Sequence, residues 1–221
     1  MEGRDRKDRI LIITGGLIEE EFLKELVGKE SYSLIIAADH GLIMADRLNI
    51  PLDYIVGDFD SVPEEILKKY REASVPIKTF PTEKDKTDTQ IAIELALMHD
   101  PGAIDLVGAM GSRMDHTLGN LHLLMLPMQL KVEAFLLDRR NKISLRQSSF
   151  TISKAGQYGD FVSLLPFTGE VKGLTLSGFR YPLEHITMMP GNSLGISNEI
   201  QEEEARVELS EGILIVCETR D

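Results

Sequence analysis

The sequence predicts an α/β domain with a mostly parallel sheet, followed by a smaller all-β domain. In the first 140 residues, short continuous apolar runs alternate with segments whose apolar residues recur at helical spacing. Continuous apolar runs are typical of strands covered on both faces, and strand–helix alternation is typical of a parallel sheet. After residue 140, short segments alternate apolar and polar residues, which is typical of strands with one buried face. We therefore predict two domains, residues 1–140 and 141–221.

The first domain contains five strand candidates, each followed by a glycine or a polar residue. They are residues 10–13, 34–38, 54–56, 104–107 and 132–137. Four helix candidates lie among these strands, at residues 19–26, 63–70, 89–98 and 117–125. The third helix candidate carries Ile91, Leu95 and Met98 at helical spacing.

The second domain also contains five strand candidates, separated by glycine-containing turns. They are residues 161–165, 174–176, 194–196, 205–209 and 213–217. The turn Ser210-Glu211-Gly212 is expected to join the last two strands as a hairpin, because a short loop with glycine is a common hairpin connection.

Composition excludes several classes of protein. The formal net charge of −12 argues against a nucleic-acid binder, which needs a basic face. It is compatible with binding ATP or a cationic substrate, because a metal ion and a few basic residues can dominate locally. We find no apolar run long enough for a membrane span, and residues 1–9 are too charged for a signal peptide. With a single cysteine, Cys217, an internal disulfide is excluded. We expect a cytoplasmic protein without a membrane partner.

Polar segments of the first domain follow its strand candidates. In an open parallel sheet such segments lie at the carboxyl edge of the strands, where ligands bind. We therefore expect them to converge on one cleft. They are Gly15-Gly16, Asp39-His40-Gly41, and residues 57–61, 84–88 and 108–116.

The segment Gly57-Asp58-Phe59-Asp60-Ser61 places two carboxylates two residues apart. In an extended chain, residues i and i+2 point to the same side, so both carboxylates can face one ion. Carboxylate oxygens suit Mg²⁺, which commonly uses one or two carboxylates together with substrate phosphates. The alternative is that an aspartate here only stabilises an Asx-type turn.

The segment Lys84-Asp85-Lys86-Thr87-Asp88 precedes a helix candidate. Thr87 and Gln90 have the spacing of a capping box, so a simple helix cap is one interpretation. A helix start is also an anion site, because its backbone N–H groups lack helical partners. Asp88 would repel bare phosphate, so a carboxylate among lysines favours a metal-bound polyphosphate.

Residues 108–116 form a second predicted turn from a strand to a helix. The guanidinium of Arg113 presents a planar fork that matches phosphate oxygens. The alternative is an ion pair between Arg113 and Asp115. The two roles are compatible, because a carboxylate can orient an arginine for a ligand.

Together, these ordered motifs resemble the thiamine pyrophosphokinase family. The resemblance rests on Ala38-Asp39-His40-Gly41, on residues 57–61, 84–88 and 108–116, and on Ser197-Asn198-Glu199. It implies an ATP-binding catalytic α/β domain and a C-terminal β-sandwich for thiamine binding and dimerisation in a homodimer. Three departures stand out: His40 and Ser112 occupy positions where the family often has glycine, and the chain lacks the tryptophan that some relatives place against thiamine.

The resemblance also implies roles for individual residues. Asp58, Asp60 and Asp88 match the Mg²⁺ ligands, and together with Arg113 they are the candidate catalytic residues. Ser197 and Asn198 match a segment that contacts thiamine from the partner subunit. The residues that match the ATP site are Asp39, Ser61, Lys86, Thr87, Arg113 and Asp115.

The predicted reaction is pyrophosphoryl transfer from ATP to the hydroxyl of thiamine, giving thiamine pyrophosphate and AMP. Such transfer needs positioning and charge neutralisation, which Mg²⁺, Lys86 and Arg113 would supply. Asp60 and Asp88 are both candidates for accepting the hydroxyl proton. Two other functions stay open on the residues alone: a metal-dependent phosphohydrolase with Asp58 as nucleophile, and a non-catalytic regulatory module that binds a nucleotide or thiamine.

Overall fold

Within the residues that the structure describes, six parallel strands form the sheet of the first structural unit. The computed structural model describes residues 8–60, 62–79 and 86–221. The chain divides into two compact units, residues 1–139 and residues 140–221. In spatial order the six strands are β4 (Ile77–Thr79), β3 (Tyr54–Gly57), β2 (Leu34–Ala38), β1 (Arg9–Ile13), β5 (Ala103–Val107) and β6 (Glu133–Leu137). Every neighbouring pair is parallel. The predicted parallel α/β domain is confirmed.

The strand order places a topological switch point between β1 and β5. The chain builds outward from β1 through β2, β3 and β4, and then returns to β5 on the other side of β1. Neighbouring loops diverge at such a point and leave a crevice at the carboxyl ends of the strands. The helices of the unit are α1 (Glu20–Lys29), α2 (Gly41–Arg47), α3 (Glu64–Glu72), α4 (Asp88–Leu97), α5 (Met114–Leu123) and α6 (Met125–Gln129).

The central strands are buried, as their apolar runs predict. Four of the five residues of β1 and all five residues of β5 are buried. The polar exception is Asp105, which accepts hydrogen bonds of 2.8 and 2.6 Å from Arg9 and one of 2.8 Å from Tyr32. Burial raises the pKa of Asp105, and the charge of Arg9 opposes that shift. Arg9 and Tyr32 together therefore compensate a carboxylate that would otherwise be a buried charge without a partner.

The second unit is a β-sandwich, as predicted from the resemblance. One antiparallel sheet has the order β7 (Asn141–Arg146), β13 (Leu214–Thr219), β9 (Phe161–Pro166). The other has the order β11 (Leu183–Met188), β10 (Val171–Ser177), β12 (Glu204–Glu208), β8 (Phe150–Ser153). Buried apolar residues from both sheets form a single core, which includes Leu164, Leu174, Val207 and Val216.

Two predictions for the second domain are wrong. β12 and β13 do not form a hairpin: β12 pairs with β10 and β8, whereas β13 pairs with β7 and β9. The turn at residues 210–212 connects the two sheets. Both strands direct alternate apolar residues into the shared core, so the alternation cannot distinguish a hairpin from a connection between sheets. Residues 194–196 are not a strand, and Leu194 and Ile196 are 55% and 43% exposed.

No helix within residues 8–60, 62–79 and 86–221 is long and apolar enough to cross a membrane.

Candidate active site

A cleft of about 650 Å³ lies at the carboxyl ends of β1, β2 and β5, at the switch point of the sheet. It is also bordered by the first residues of α4 and by α5. The structure therefore brings together four of the segments that the sequence predicted to converge. The residues that line the cleft are 14–17, 38–40, 87–89, 108–113, 116, 117 and 120.

Close backbone packing forms the floor of the cleft. Thr14 donates a backbone hydrogen bond of 2.8 Å to the carbonyl of Val107, which joins the end of β1 to the end of β5. A Cβ atom on Gly41 would lie 2.0 Å from the carbonyl oxygen of Ile13, and one on Gly16 would lie 2.1 Å from that of Gly108. Only glycine permits these approaches, so Gly41 lets the start of α2 lie against the end of β1, and Gly16 lets the residues after β1 lie against Gly108.

Two side chains of α5 fix the loop at residues 108–113. Asn120 donates a hydrogen bond of 2.7 Å from Nδ2 to the carbonyl of Ala109, and Thr117 Oγ1 accepts one of 3.3 Å from the backbone of Gly111. Both side chains line the cleft. Neither residue belongs to the motifs that predicted the site. Thr117 and Asn120 are three positions apart, so they lie on one face of the helix, and this spacing is the feature of the sequence that could have identified them.

Arg113 lies at the N-terminus of α5 and forms an ion pair with Asp115. Nε and Nη2 of Arg113 donate hydrogen bonds of 3.2 and 2.6 Å to the two carboxylate oxygens. The hydrogen bond from Arg113 lowers the pKa of Asp115, and the same contact raises the pKa of Arg113. Arg113 lines the cleft, so the pair orients a guanidinium that still has Nη1 available for a ligand.

The start of α4 has the expected N-cap and only half of the expected capping box. Thr87 Oγ1 accepts a hydrogen bond of 3.2 Å from the backbone of Gln90, but the side chain of Gln90 donates to Glu94 at 3.0 Å. Thr87, Asp88 and Thr89 all line the cleft. The first turn of α4 therefore presents backbone N–H groups to a ligand, which suits a phosphate.

Lys86 is directed toward the side of α4. Its Nζ lies 2.9 Å from both carboxylate oxygens of Glu94, and this contact lowers the pKa of Glu94. The described residues that line the cleft do not include Lys86 or Asp115. The predicted contact of each with ATP stays a prediction. Ser61, Lys84 and Asp85 lie outside the described residues.

Asp58 and Asp60 occupy a turn rather than an extended segment. Asp58 Oδ1 accepts a hydrogen bond of 3.4 Å from the backbone of Asp60. Between them, Phe59 is buried with a φ of +63°, a conformation that is strained for a bulky residue. The two side chains therefore do not have the geometry of the extended chain that we assumed. Backbone strain of this kind is concentrated at functional sites.

The carboxylates of the cleft suit a metal-bound nucleotide better than a metal held by protein alone. Asp39 and Asp88 line the cleft, whereas the described lining does not include Asp58 or Asp60. Among residues 8–60, 62–79 and 86–221, no group of three possible ligand side chains is arranged to hold a metal ion. Mg²⁺ commonly takes one or two carboxylates and completes its shell with phosphate and water. The donor set therefore fits Mg²⁺ that arrives with a polyphosphate.

Ser197 and Asn198 lie in the second unit, beside an exposed tyrosine. Asn198 is only 5% exposed, and its side-chain amide accepts a hydrogen bond of 3.0 Å from the backbone N–H of Tyr181 and donates one of 2.8 Å to its carbonyl. Tyr181 itself is 56% exposed. Asn198 thus positions Tyr181, which the sequence analysis did not single out. Ser197 is exposed, and its backbone donates to Ser163 Oγ at 2.9 Å.

Comparisons with known proteins identify one family. Residues 27–136 match the model of the thiamin pyrophosphokinase catalytic domain, and residues 148–214 match the model of the thiamin pyrophosphokinase vitamin B1 binding domain. Thiamine pyrophosphokinase of Bacillus subtilis is 31% identical over 214 residues, which cover 96% of this chain and 99% of that protein.

Solved structures give the same result. The crystal structure of the Bacillus subtilis thiamine pyrophosphokinase superposes with a TM-score of 0.86 at 30% identity, covering 97% of this chain and 100% of that one. The thiamin pyrophosphokinase of Geobacillus thermodenitrificans gives a TM-score of 0.83 at 31% identity, covering 96% and 98%. The similarity therefore extends over both units.

Proposed function

The chain belongs to the thiamine pyrophosphokinase family, and we propose that it transfers the pyrophosphoryl group of ATP to the hydroxyl of thiamine, giving thiamine pyrophosphate and AMP. The observation that supports this most strongly is the cleft at the switch point, which is lined by both Arg113 and the first turn of α4. The relatives reported above are thiamine pyrophosphokinases by name. Neither the phosphohydrolase nor the non-catalytic module has such support.

We place the polyphosphate of ATP between the start of α4 and the loop at residues 108–113. The cleft volume of about 650 Å³ lies in the range of small-molecule sites. Backbone N–H groups of Thr87, Asp88 and Thr89 would bind phosphate oxygens, and Arg113 would stabilise charge on the transferring group. The proposed ATP site also includes Asp39, which lines the cleft. The resemblance completes the site with Ser61, Lys86, Thr87 and Asp115.

Mg²⁺ is the proposed cofactor, with Asp58, Asp60 and Asp88 as its ligands on the basis of the resemblance. In the described structure these three carboxylates do not surround one point, so they would come together on the ion only when it binds with ATP. When bound with ATP, the ion would neutralise charge on the phosphates. Without it, carboxylates such as Asp39 and Asp88 would repel a polyphosphate in the same cleft. Asp60 and Asp88 remain the two candidates for accepting the proton of the thiamine hydroxyl.

A second copy of the chain completes the proposed site. α5 buries none of its residues, and Met114 and Leu118 on that helix are 61% and 53% exposed. An exposed apolar pair one turn apart suits a contact with another subunit. In the proposed homodimer, Ser197, Asn198 and the ring of Tyr181 contact thiamine from the partner subunit.

ATP labelled with ³²P at the γ position tests the proposed reaction. Pyrophosphoryl transfer carries the β and γ phosphates together, so the label should appear in thiamine pyrophosphate. A phosphohydrolase would release the label as inorganic phosphate, and a binding module would leave it in ATP. Either of these results would contradict the proposal.

A melting experiment tests the metal separately. ATP with Mg²⁺ should raise the Tm more than ATP with EDTA, because the ion relieves repulsion between the phosphates and the carboxylates. An Asp58→Asn variant should lose this difference while it stays folded. Equal Tm shifts in both conditions for the wild-type protein would remove the metal from the proposal.

A further inference from the structure

Leu17 is an apolar residue in the wall of the cleft. It follows Gly15 and Gly16 after β1, and it lines the cleft while it is 72% exposed. An exposed leucine elsewhere on a protein surface needs no explanation, but one that lines a ligand cleft offers contact area to the ligand. The phosphates and Mg²⁺ of the proposed site make no use of such a side chain.

The backbone holds Leu17 against the loop that also carries Arg113. Gly16 donates a backbone hydrogen bond of 2.8 Å to the carbonyl of Gly108, and Leu17 donates one of 3.2 Å to that of Met110. A Cβ atom on Gly111 would lie 3.3 Å from the backbone nitrogen of Leu17 and 3.8 Å from its Cβ atom. The two loops therefore lie side by side, and Leu17 is in position before a ligand binds.

Met110 extends the apolar surface beside Leu17. It is partly exposed and also lines the cleft. Two polar side chains that line the cleft use donors on the protein itself, because Thr14 Oγ1 and Asn120 Nδ2 donate hydrogen bonds of 3.2 and 2.7 Å to backbone carbonyls. Leu17 and Met110 thus present carbon atoms, which favour contact with a flat ring over contact with a phosphate.

Of the two ring systems in the proposed reaction, the nucleobase fits this surface. The polyphosphate is placed between the start of α4 and the loop at residues 108–113, and the ribose keeps the base close to the phosphates. The cleft volume of about 650 Å³ suits a whole nucleotide. Thiamine, in contrast, has its proposed contacts in the second unit, at Ser197, Asn198 and Tyr181.

We propose that Leu17, together with Met110, contacts the adenine ring of ATP and contributes to the affinity for the nucleotide. This contact rests on the proposed function, because ATP is taken as the bound nucleotide. Burial of apolar surface on both partners supplies the free energy, and the preset position of Leu17 avoids the cost of ordering its loop.

Calorimetric titration with Mg²⁺ present and thiamine absent tests the contact with two ligands. They are ATP and inorganic tripolyphosphate, which has three phosphates and no ring. Leu17→Ala should weaken ATP binding roughly fivefold to tenfold, because part of the apolar contact with the ring is lost. It should leave the Kd of tripolyphosphate unchanged. Leu17→Met keeps the apolar area and should bind ATP within about twofold of the wild-type protein.

Met98→Ala is the matched control, because Met98 is 78% exposed and is not among the described residues that line the cleft. It should bind both ligands as the wild-type protein does. The proposal is wrong if Leu17→Ala binds ATP as tightly as the wild-type protein. It is also wrong if Leu17→Ala weakens both ligands equally, because Leu17 would then act through the loop that holds the phosphates. A wild-type protein that does not bind ATP would contradict the proposed function, and this contact with it.

Discussion

The side-chain amide of Asn120 donates a hydrogen bond of 2.7 Å to the carbonyl of Ala109, and so joins α5 to the loop that borders the cleft. The contact spans eleven residues of sequence, and it fixes the loop that presents Arg113. A catalytic group held within a fraction of an ångström needs such support, because small displacements cost rate.

Removing this hydrogen bond should impair catalysis more than folding. Asn120→Ala should lower the free energy of unfolding by about 1 kcal/mol, which is typical for one hydrogen bond. It should lower kcat/KM for ATP by about tenfold or more, because the loop can then move away from the phosphates. Gln129→Ala, which removes an exposed amide at the end of α6, is the matched control. Equal kinetics in the two variants would contradict this role for Asn120.

Two glycine-to-alanine substitutions should have opposite effects on stability. A Cβ atom on Gly41 would lie 2.0 Å from the carbonyl oxygen of Ile13, whereas one on Gly28 in α1 would have no heavy atom within 4 Å. Gly41→Ala should therefore cost about 3 kcal/mol or more, because backbone atoms cannot yield. Gly28→Ala should stabilise the protein by up to about 1 kcal/mol. Urea unfolding measures both, and similar stabilities would contradict the close approach of β1 and α2.

Mixing two inactive variants tests the shared site. Arg113→Ala removes the guanidinium of the cleft, and Asn198→Ala removes the amide that holds Tyr181. If each site combines the cleft of one subunit with Asn198 of its partner, mixed dimers contain one intact site. A refolded equimolar mixture should then regain about a quarter of wild-type activity, as random pairing of two chains in a symmetric dimer predicts. If the mixture stays inactive, the two residues act within one subunit.

Alkaline pH should destabilise the protein through Cys217. Burial raises the pKa of its thiol from 9.0 to about 11. Between these values the unfolded chain releases a proton that the folded chain retains, so the free energy of unfolding falls as pH rises. The total loss is about 2–3 kcal/mol, of which about half is reached at pH 10. Below pH 9 the effect disappears, because the thiol is protonated in both states.

A variant without the thiol provides the control. Cys217→Ala should lose about 1 kcal/mol less than the wild-type protein between pH 8 and pH 10, even if it is less stable at both. Measuring at pH 10 limits the contribution of Tyr70, whose pKa burial raises to about 12. Identical pH dependence in the two proteins would exclude Cys217 as the cause.

The first unit could be predicted from sequence because its strands are buried on both faces. The predicted strand at residues 34–38 coincides with β2, and those at 10–13 and 104–107 each miss one residue of β1 and β5. Three elements of this unit among the described residues were missed, and one of them is α6, which follows α5 so closely that the sequence predicted a single helix there. β4 has three residues, none of them fully buried, so it lacks an apolar run, and α2 begins at Gly41, within a segment that has the composition of a turn.

From the sequence, residues of the candidate site could be recognised only where the side chain itself can bind a phosphate or a metal ion. The sequence identified Asp39, Thr87, Asp88 and Arg113, and all four line the cleft. Asn120 and Thr117 act by bonding to backbone atoms of a loop, and no pattern reveals that partner before the fold is known. Phe59 was not expected to turn the chain, because bulky residues rarely adopt a positive φ.

Product analysis tests pyrophosphoryl transfer to thiamine. Purified protein is incubated with thiamine, ATP and Mg²⁺, and thiamine pyrophosphate, thiamine monophosphate, AMP and ADP are quantified by chromatography. Pyrophosphoryl transfer predicts that thiamine pyrophosphate and AMP form in equal amounts, and that neither forms when EDTA is present. Formation of ADP or inorganic phosphate without thiamine pyrophosphate would contradict it.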